Sequence, residues 1–282
     1  MMQQTEFKAG QAPDYAAQIE QWLVQPPSLV ASGFGRRIAP ALNPVLRVTQ
    51  AVIPESLFEQ ALVTASRAST RVALRQRVMQ QAGVTNIESL RSRPIPDCDQ
   101  QWRSLRRSAM GLAGGTGAAS GVAGAAGLTL DIPALILQSY VGIHRTGMCY
   151  GYDCSEANAP GFALAIFALA NANTLEEKQA AWQALVGLHD LQNEALRDGL
   201  EAAIARQLGK GSVATGMQRL ATQLGMNLGR RKAAAVVPIL GALIGGSINA
   251  WVMADLMQVA RYAFIARRLG LLPEPPTCPE TV

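Results

Sequence analysis

The run Ser108–Leu130 reads SAMGLAGGTGAASGVAGAAGLTL, and a second run, Ala233–Ala254, reads AAAVVPILGALIGGSINAWVMA. They hold 23 and 22 residues, none of them charged. At about 1.5 Å of rise per residue, either could cross a hydrocarbon layer of about 30 Å as a helix. Composition is the obstacle. The first run contains seven glycines: Gly111, Gly114, Gly115, Gly117, Gly121, Gly124 and Gly127. Each costs a water-exposed helix about 1 kcal/mol relative to alanine, so this run is not an isolated helix in water. Gly111/Gly115, Gly117/Gly121 and, in the second run, Gly241/Gly245 have the spacing that lets helix backbones approach closely. The expected fold is all-α: a compact multi-helix domain with two Gly/Ala-rich apolar helical hairpins that pack together or enter lipid.

The flanks favour hairpins over simple crossings. Arg103, Arg106 and Arg107 precede the first run, and His144 and Arg145 follow its succeeding helix. Arg230, Arg231 and Lys232 precede the second, with Arg261, Arg267 and Arg268 beyond it. A single span would concentrate its basic residues on one side. Both regions share an order of basic cluster, small apolar run, acid (Asp131 or Asp255), apolar helix and basic end. That order is weak evidence for a duplication.

Charged residues make up only 16% of the 282-residue chain and apolar ones 49%, which excludes disorder and implies extensive burial. Net charge is +5, but the basic residues flank apolar runs and aromatics are only 5%. That pattern suits an anionic membrane surface and argues against nucleic acid, which needs a basic stripe with stacking groups. Met1 to Gln18 lacks the apolar core of a secretory signal, and no lipidation box closes the chain at Cys278. With four cysteines in a chain of this length, reduced thiols and a cytoplasmic location at the inner face of the membrane are expected.

Residues 1–13 are expected to be mobile, residues 14–272 to form a single helical domain, and the Pro-rich residues 273–282 to be a mobile tail. A first helix follows Pro13–Asp14, with Tyr15, Ile19, Trp22 and Leu23 on one side, until Pro26–Pro27. Thr85–Asn86–Ile87–Glu88 and Thr174–Leu175–Glu176–Glu177 have capping-box spacing. The latter opens a helix expected to bury Trp182, Leu185, Val186 and His189. After the break at Arg93–Pro94–Ile95–Pro96, Asp97 or Asp99 is positioned to cap a helix through Trp102 and Leu105.

Two further stretches carry a resemblance. Gly124-Ala125-Ala126-Gly127-Leu128-Thr129-Leu130-Asp131-Ile132-Pro133-Ala134-Leu135, then Cys149-Tyr150-Gly151-Tyr152-Asp153, resemble the EcsC family of bacterial proteins, as does Val237-Pro238-Ile239 through Ile248-Asn249. The resemblance covers residues 14 to 270. That family is named for a protein encoded beside an ABC transporter. It is also similar to an uncharacterised domain attached to some bacterial GTPases, whose apolar hairpins are thought to contact the membrane. The resemblance implies a fold and a neighbourhood; it implies no catalytic residues and no cofactor.

Asp131-Ile132-Pro133 reads as a helix start and Tyr150-Gly151-Tyr152-Asp153 as its stop, with Gly151 in a left-handed cap. The same polar residues are the candidate binding site: Asp131, His144, Tyr150, Tyr152 and Asp153, with Asp255 if a site lies within the membrane. Helix capping is the preferred account of all three acids. No metal site is expected, because two histidines and four cysteines lack ligand spacing. Gly209-Lys210-Gly211-Ser212 departs from a phosphate loop at both its first glycine and its hydroxyl position, and no nucleophile elbow surrounds Ser120, Ser212 or Ser247. The favoured expectation is a non-enzymatic membrane-associated protein whose partner is an anionic membrane surface or a membrane protein complex. It would be accessory to a transporter or other envelope system. A soluble helical enzyme or lipid carrier and a self-associating scaffold, a homo-oligomer, stay open.

Overall fold

The computed structural model describes residues 14–25, 75–153, 159–172, 174–179 and 238–271, with single positions between 61 and 73 and between 181 and 186. The fold is all-α, and no strand occurs among the described residues. Its named helices are α1 (Arg75–Ala82), α2 (Ile95–Val122), α3 (Gly124–Cys149), α4 (Ala159–Asn171) and α5 (Pro238–Arg268). Residues 14–24 are also helical, and a 3₁₀ turn, Glu88–Ser92, leads into α2.

α2 begins at the break in the sequence rather than after it. Pro94 is the N-cap and Pro96 lies in the first turn, where an absent N–H costs nothing. Asp97 complements the helix dipole there, while Asp99 is carried inward and buried, so it is not the cap. Upstream, Asn86 does the work expected of Thr85: its Oδ1 accepts the Glu88 N–H at 2.7 Å. Thr174 caps as expected, its Oγ1 accepting the Glu177 N–H at 3.1 Å.

The single residue Ala123 separates α2 from α3. The two run antiparallel, with Gln138 reaching Thr116 at 3.2 Å and Tyr150 reaching Asp99 at 2.5 Å. At the turn only glycine fits: a Cβ on Gly127 would stand 1.9 Å from the Ser120 carbonyl oxygen. α5 lies antiparallel to α2, from Arg261 opposite Asp99 to Gly246 opposite Gly114. A Cβ on Gly246 would meet the Gly114 carbonyl oxygen at 2.9 Å and the Ala118 Cβ at 3.2 Å, so the small residues bring these two backbones together.

The first uncharged run thus supplies the end of α2, the turn and the start of α3. The second run holds no such turn among its described residues. From Pro238 it continues as one helix through Asp255 to Arg268, and the residues before Pro238 lie outside the described ones. Its partner is the first run.

These pairings give the bundle two unlike poles. One combines the end of α2 with the starts of α3 and α5 and carries no exposed charge among the described residues, its Asp131 being buried. The other collects Asp99, Arg261, Arg268, Arg91, Asp153 and Arg75. α4 covers the flank, with Phe167 against Tyr140 of α3 and Phe162 against Phe264 of α5. The helix at residues 14–24 packs as expected, with Ile19 buried and Trp22 against Tyr262 at 5.1 Å. Lys178 fastens it by donating to the carbonyls of Trp22 and Gln25. Leu185 is buried and Trp182 packs on the core, but Val186 faces outward, contrary to expectation; His189 lies outside the described residues.

Candidate functional site

The charged pole is organised around Asp99. Arg261 grips its carboxylate with two bonds, Nε to Oδ1 at 2.7 Å and Nη2 to Oδ2 at 2.6 Å. The Tyr150 hydroxyl donates to the same Oδ1 at 2.5 Å. All three side chains are buried, and the Arg261 guanidinium also lies 5.4 Å from the Trp102 ring and 5.8 Å from that of Tyr15. Burial, then the Asp99 charge, raise the Tyr150 phenol well above its ordinary range. Burial alone would lower Arg261, but its bond to Asp99 and the neighbouring phenol outweigh that and hold it above its usual value. This is a locked ion pair with every charge engaged, an arrangement suited to fixing helix register rather than to turnover.

Beside it, α3 ends in the stop expected from the sequence. Gly151 has φ +90, its N–H bonds the Met148 carbonyl at 3.1 Å, and the Tyr152 N–H bonds the Gly147 carbonyl at 2.9 Å. Arg91 donates to the Gly151 carbonyl at 2.7 Å and lies over the Tyr152 ring at 4.4 Å. Arg267 lies 4.4 Å from that ring as well. Asp153 pairs with Arg75 at 2.5 Å, tying α1 to the end of α3.

The expected site residues are therefore dispersed. Tyr150, Tyr152 and Asp153 share the charged pole. Asp131 does not join them: 19 positions along α3 put it about 28 Å from Tyr150. Nor is Asp131 a cap. It lies two turns inside α3, only 4% exposed, and accepts from Asn249 Nδ2 of α5 at 2.9 Å. Pro133 is likewise interior and leaves the Thr129 carbonyl without its usual helical donor. Asp255 stands within α5, half-buried, so capping is excluded there too.

His144 stands between these groups on α3, buried, and its Nε2 has no hydrogen-bond partner among the described residues. Burial lowers its pKa from 6.5 to about 4. The unfolded chain therefore takes up the proton first as pH falls. Stability contributed by neutral His144 is complete above about 6.5 and declines toward 4, by about 3 kcal/mol in all. Urea midpoints measured between neutral pH and mild acid should fall more steeply for the native chain than for His144→Leu. Equal slopes would remove His144 from the account.

Asp99 and Arg261 are buried polar residues that local sequence rules misassign, to a cap and a flank, and Asn249 is one they pass over. One signal was available: Arg261 falls in the apolar stripe Met257–Phe264–Ile265, where a charge is tolerable only with a buried partner. Among the described residues no group of His, Cys, Asp and Glu could hold a metal ion, and no helix is long and apolar enough to cross a membrane.

The sequence profile of the EcsC protein family matches residues 17–269, from the first helix to the end of α5. The chain belongs to the EcsC protein family. Its sequence is also 21% identical over 225 residues to the uncharacterized protein YdbA of Bacillus subtilis (strain 168), spanning 80% of this chain and 68% of that protein. No solved structure matches. The family match encloses both poles: Asp99, Tyr150 and Arg261 at one, and the paired uncharged runs at the other.

Proposed function

We propose that this EcsC-family chain is a non-enzymatic protein that docks reversibly on the inner face of the cytoplasmic membrane as an accessory to a transporter or other envelope system. The supporting observation is the uncharged pole. Three large apolar side chains stand exposed there, Leu112 (60%), Val122 (69%) and Leu130 (77%), while the nearest exposed charges among the described residues are Arg103 and Arg107. Burying those three side chains in lipid is worth on the order of 4 kcal/mol. That is comparable to a weak single lipid anchor, which needs a second, electrostatic signal to hold. Binding should therefore be salt-sensitive and reversible. The carrier or enzyme alternative loses support, because Asp131 and the Tyr150 group occupy opposite ends of α3.

The test is fractionation with carbonate extraction, together with vesicle flotation. The chain is expected to sediment with membranes, to be released by carbonate without detergent, and to float with phosphatidylglycerol vesicles at low salt. A chain that remains wholly in the supernatant and ignores those vesicles would end this proposal.

A further inference from the structure

We infer that the uncharged pole enters a single leaflet, with Arg103 and Arg107 at the phosphate level and the α2–α3 turn near the bilayer midplane; this rests on the membrane docking proposed above. Arg103 and Arg107 are exposed one helical turn apart, on the charged side of Leu112. From Arg107 to Val122 the rise is about 22 Å, close to half the roughly 40–45 Å of a bilayer with its headgroups. The chemistry of the pole suits that depth. Its α2 hydroxyls need no water, because Ser108, Thr116 and Ser120 donate to the carbonyls of Ser104, Ala113 and Gly117 in their own helix. The one carboxylate of α3 within that depth, Asp131, is turned inward onto Asn249. Asp255 stands at the level of Arg106, whose Nε donates to the Ala254 carbonyl at 3.3 Å, and so remains in the headgroup layer. The occupant of this surface is thus an anionic leaflet, whose phosphates match the arginine collar.

The test uses the full chain with Cys154→Ser and Cys278→Ser, since Cys98 and Cys149 are buried. A fluorophore is attached at Val122→Cys or Ser108→Cys, and phosphatidylcholine vesicles with or without phosphatidylglycerol carry quenchers near the headgroup or near the chain terminus. The Val122 label should be quenched chiefly by the deep quencher and the Ser108 label by the shallow one. Arg103→Gln/Arg107→Gln should weaken partitioning into phosphatidylglycerol vesicles about thirtyfold, removing the gain over phosphatidylcholine. Flotation with shallow quenching at both labels would overturn the one-leaflet insertion while leaving membrane docking intact. No flotation at all would end both. A dimer in light scattering that shields the Val122 label without vesicles would give this surface to a second copy and overturn the inference.

Discussion

Replacing Asp99 with alanine is expected to lower the free energy of unfolding by about 3–5 kcal/mol. The removed carboxylate holds the buried Arg261 guanidinium through two bonds and accepts the Tyr150 hydroxyl. The remaining guanidinium would be an unpaired charge in an apolar setting, and the phenol would lose its acceptor. The effect belongs to the orphaned charge more than to the bond. Asp99→Leu/Arg261→Met, which removes both charges, should therefore recover most of the loss. A double-mutant cycle in urea decides the matter. If the two single substitutions simply add in the double variant, the pair is not coupled and the account fails.

Gly151→Ala should cost about 3 kcal/mol or more, for two separable reasons. At φ +90 an L residue is strained, and a Cβ would meet Arg91 Cγ at 2.4 Å and the Arg91 backbone nitrogen at 2.6 Å. Gly270 supplies the control. It closes α5 with the same pattern at φ +74, but a Cβ there would enter open space. Gly270→Ala should thus report backbone strain alone, about 1–2 kcal/mol. The difference between the variants measures the collision with Arg91. Equal losses would mean that the chain beside Gly151 gives way freely.

The sequence was most legible where structure is decided locally. The helix at residues 14–24, the Thr174 cap and the left-handed stop at Gly151 each depend on residues within a turn or two. The all-α fold followed from periodicity and from the small-residue runs. What failed was the assignment of acids. Asp99, Asp131 and Asp255 all resemble caps, because a carboxylate beside an uncharged run usually marks a helix end. The first two are interior because partners lie 162 and 118 residues away, Arg261 and Asn249. No local rule registers a partner at that distance. The candidate site was dispersed for the same reason. Its residues are neighbours in pattern but are drawn to different helices, and α3 is long enough to keep Asp131 from Tyr150.

The distance between α2 and α5 also has a consequence in time. During synthesis at about 5–20 residues per second, α2 and α3 can pair almost at once, while Arg261 emerges some ten to thirty seconds after Asp99. Over that interval the seat for α5, with its glycine notch and its Asp99 carboxylate, stands uncovered. A nascent chain that stalls before Pro238 would leave this apolar face, and the Asp99 carboxylate, without the helix that covers them.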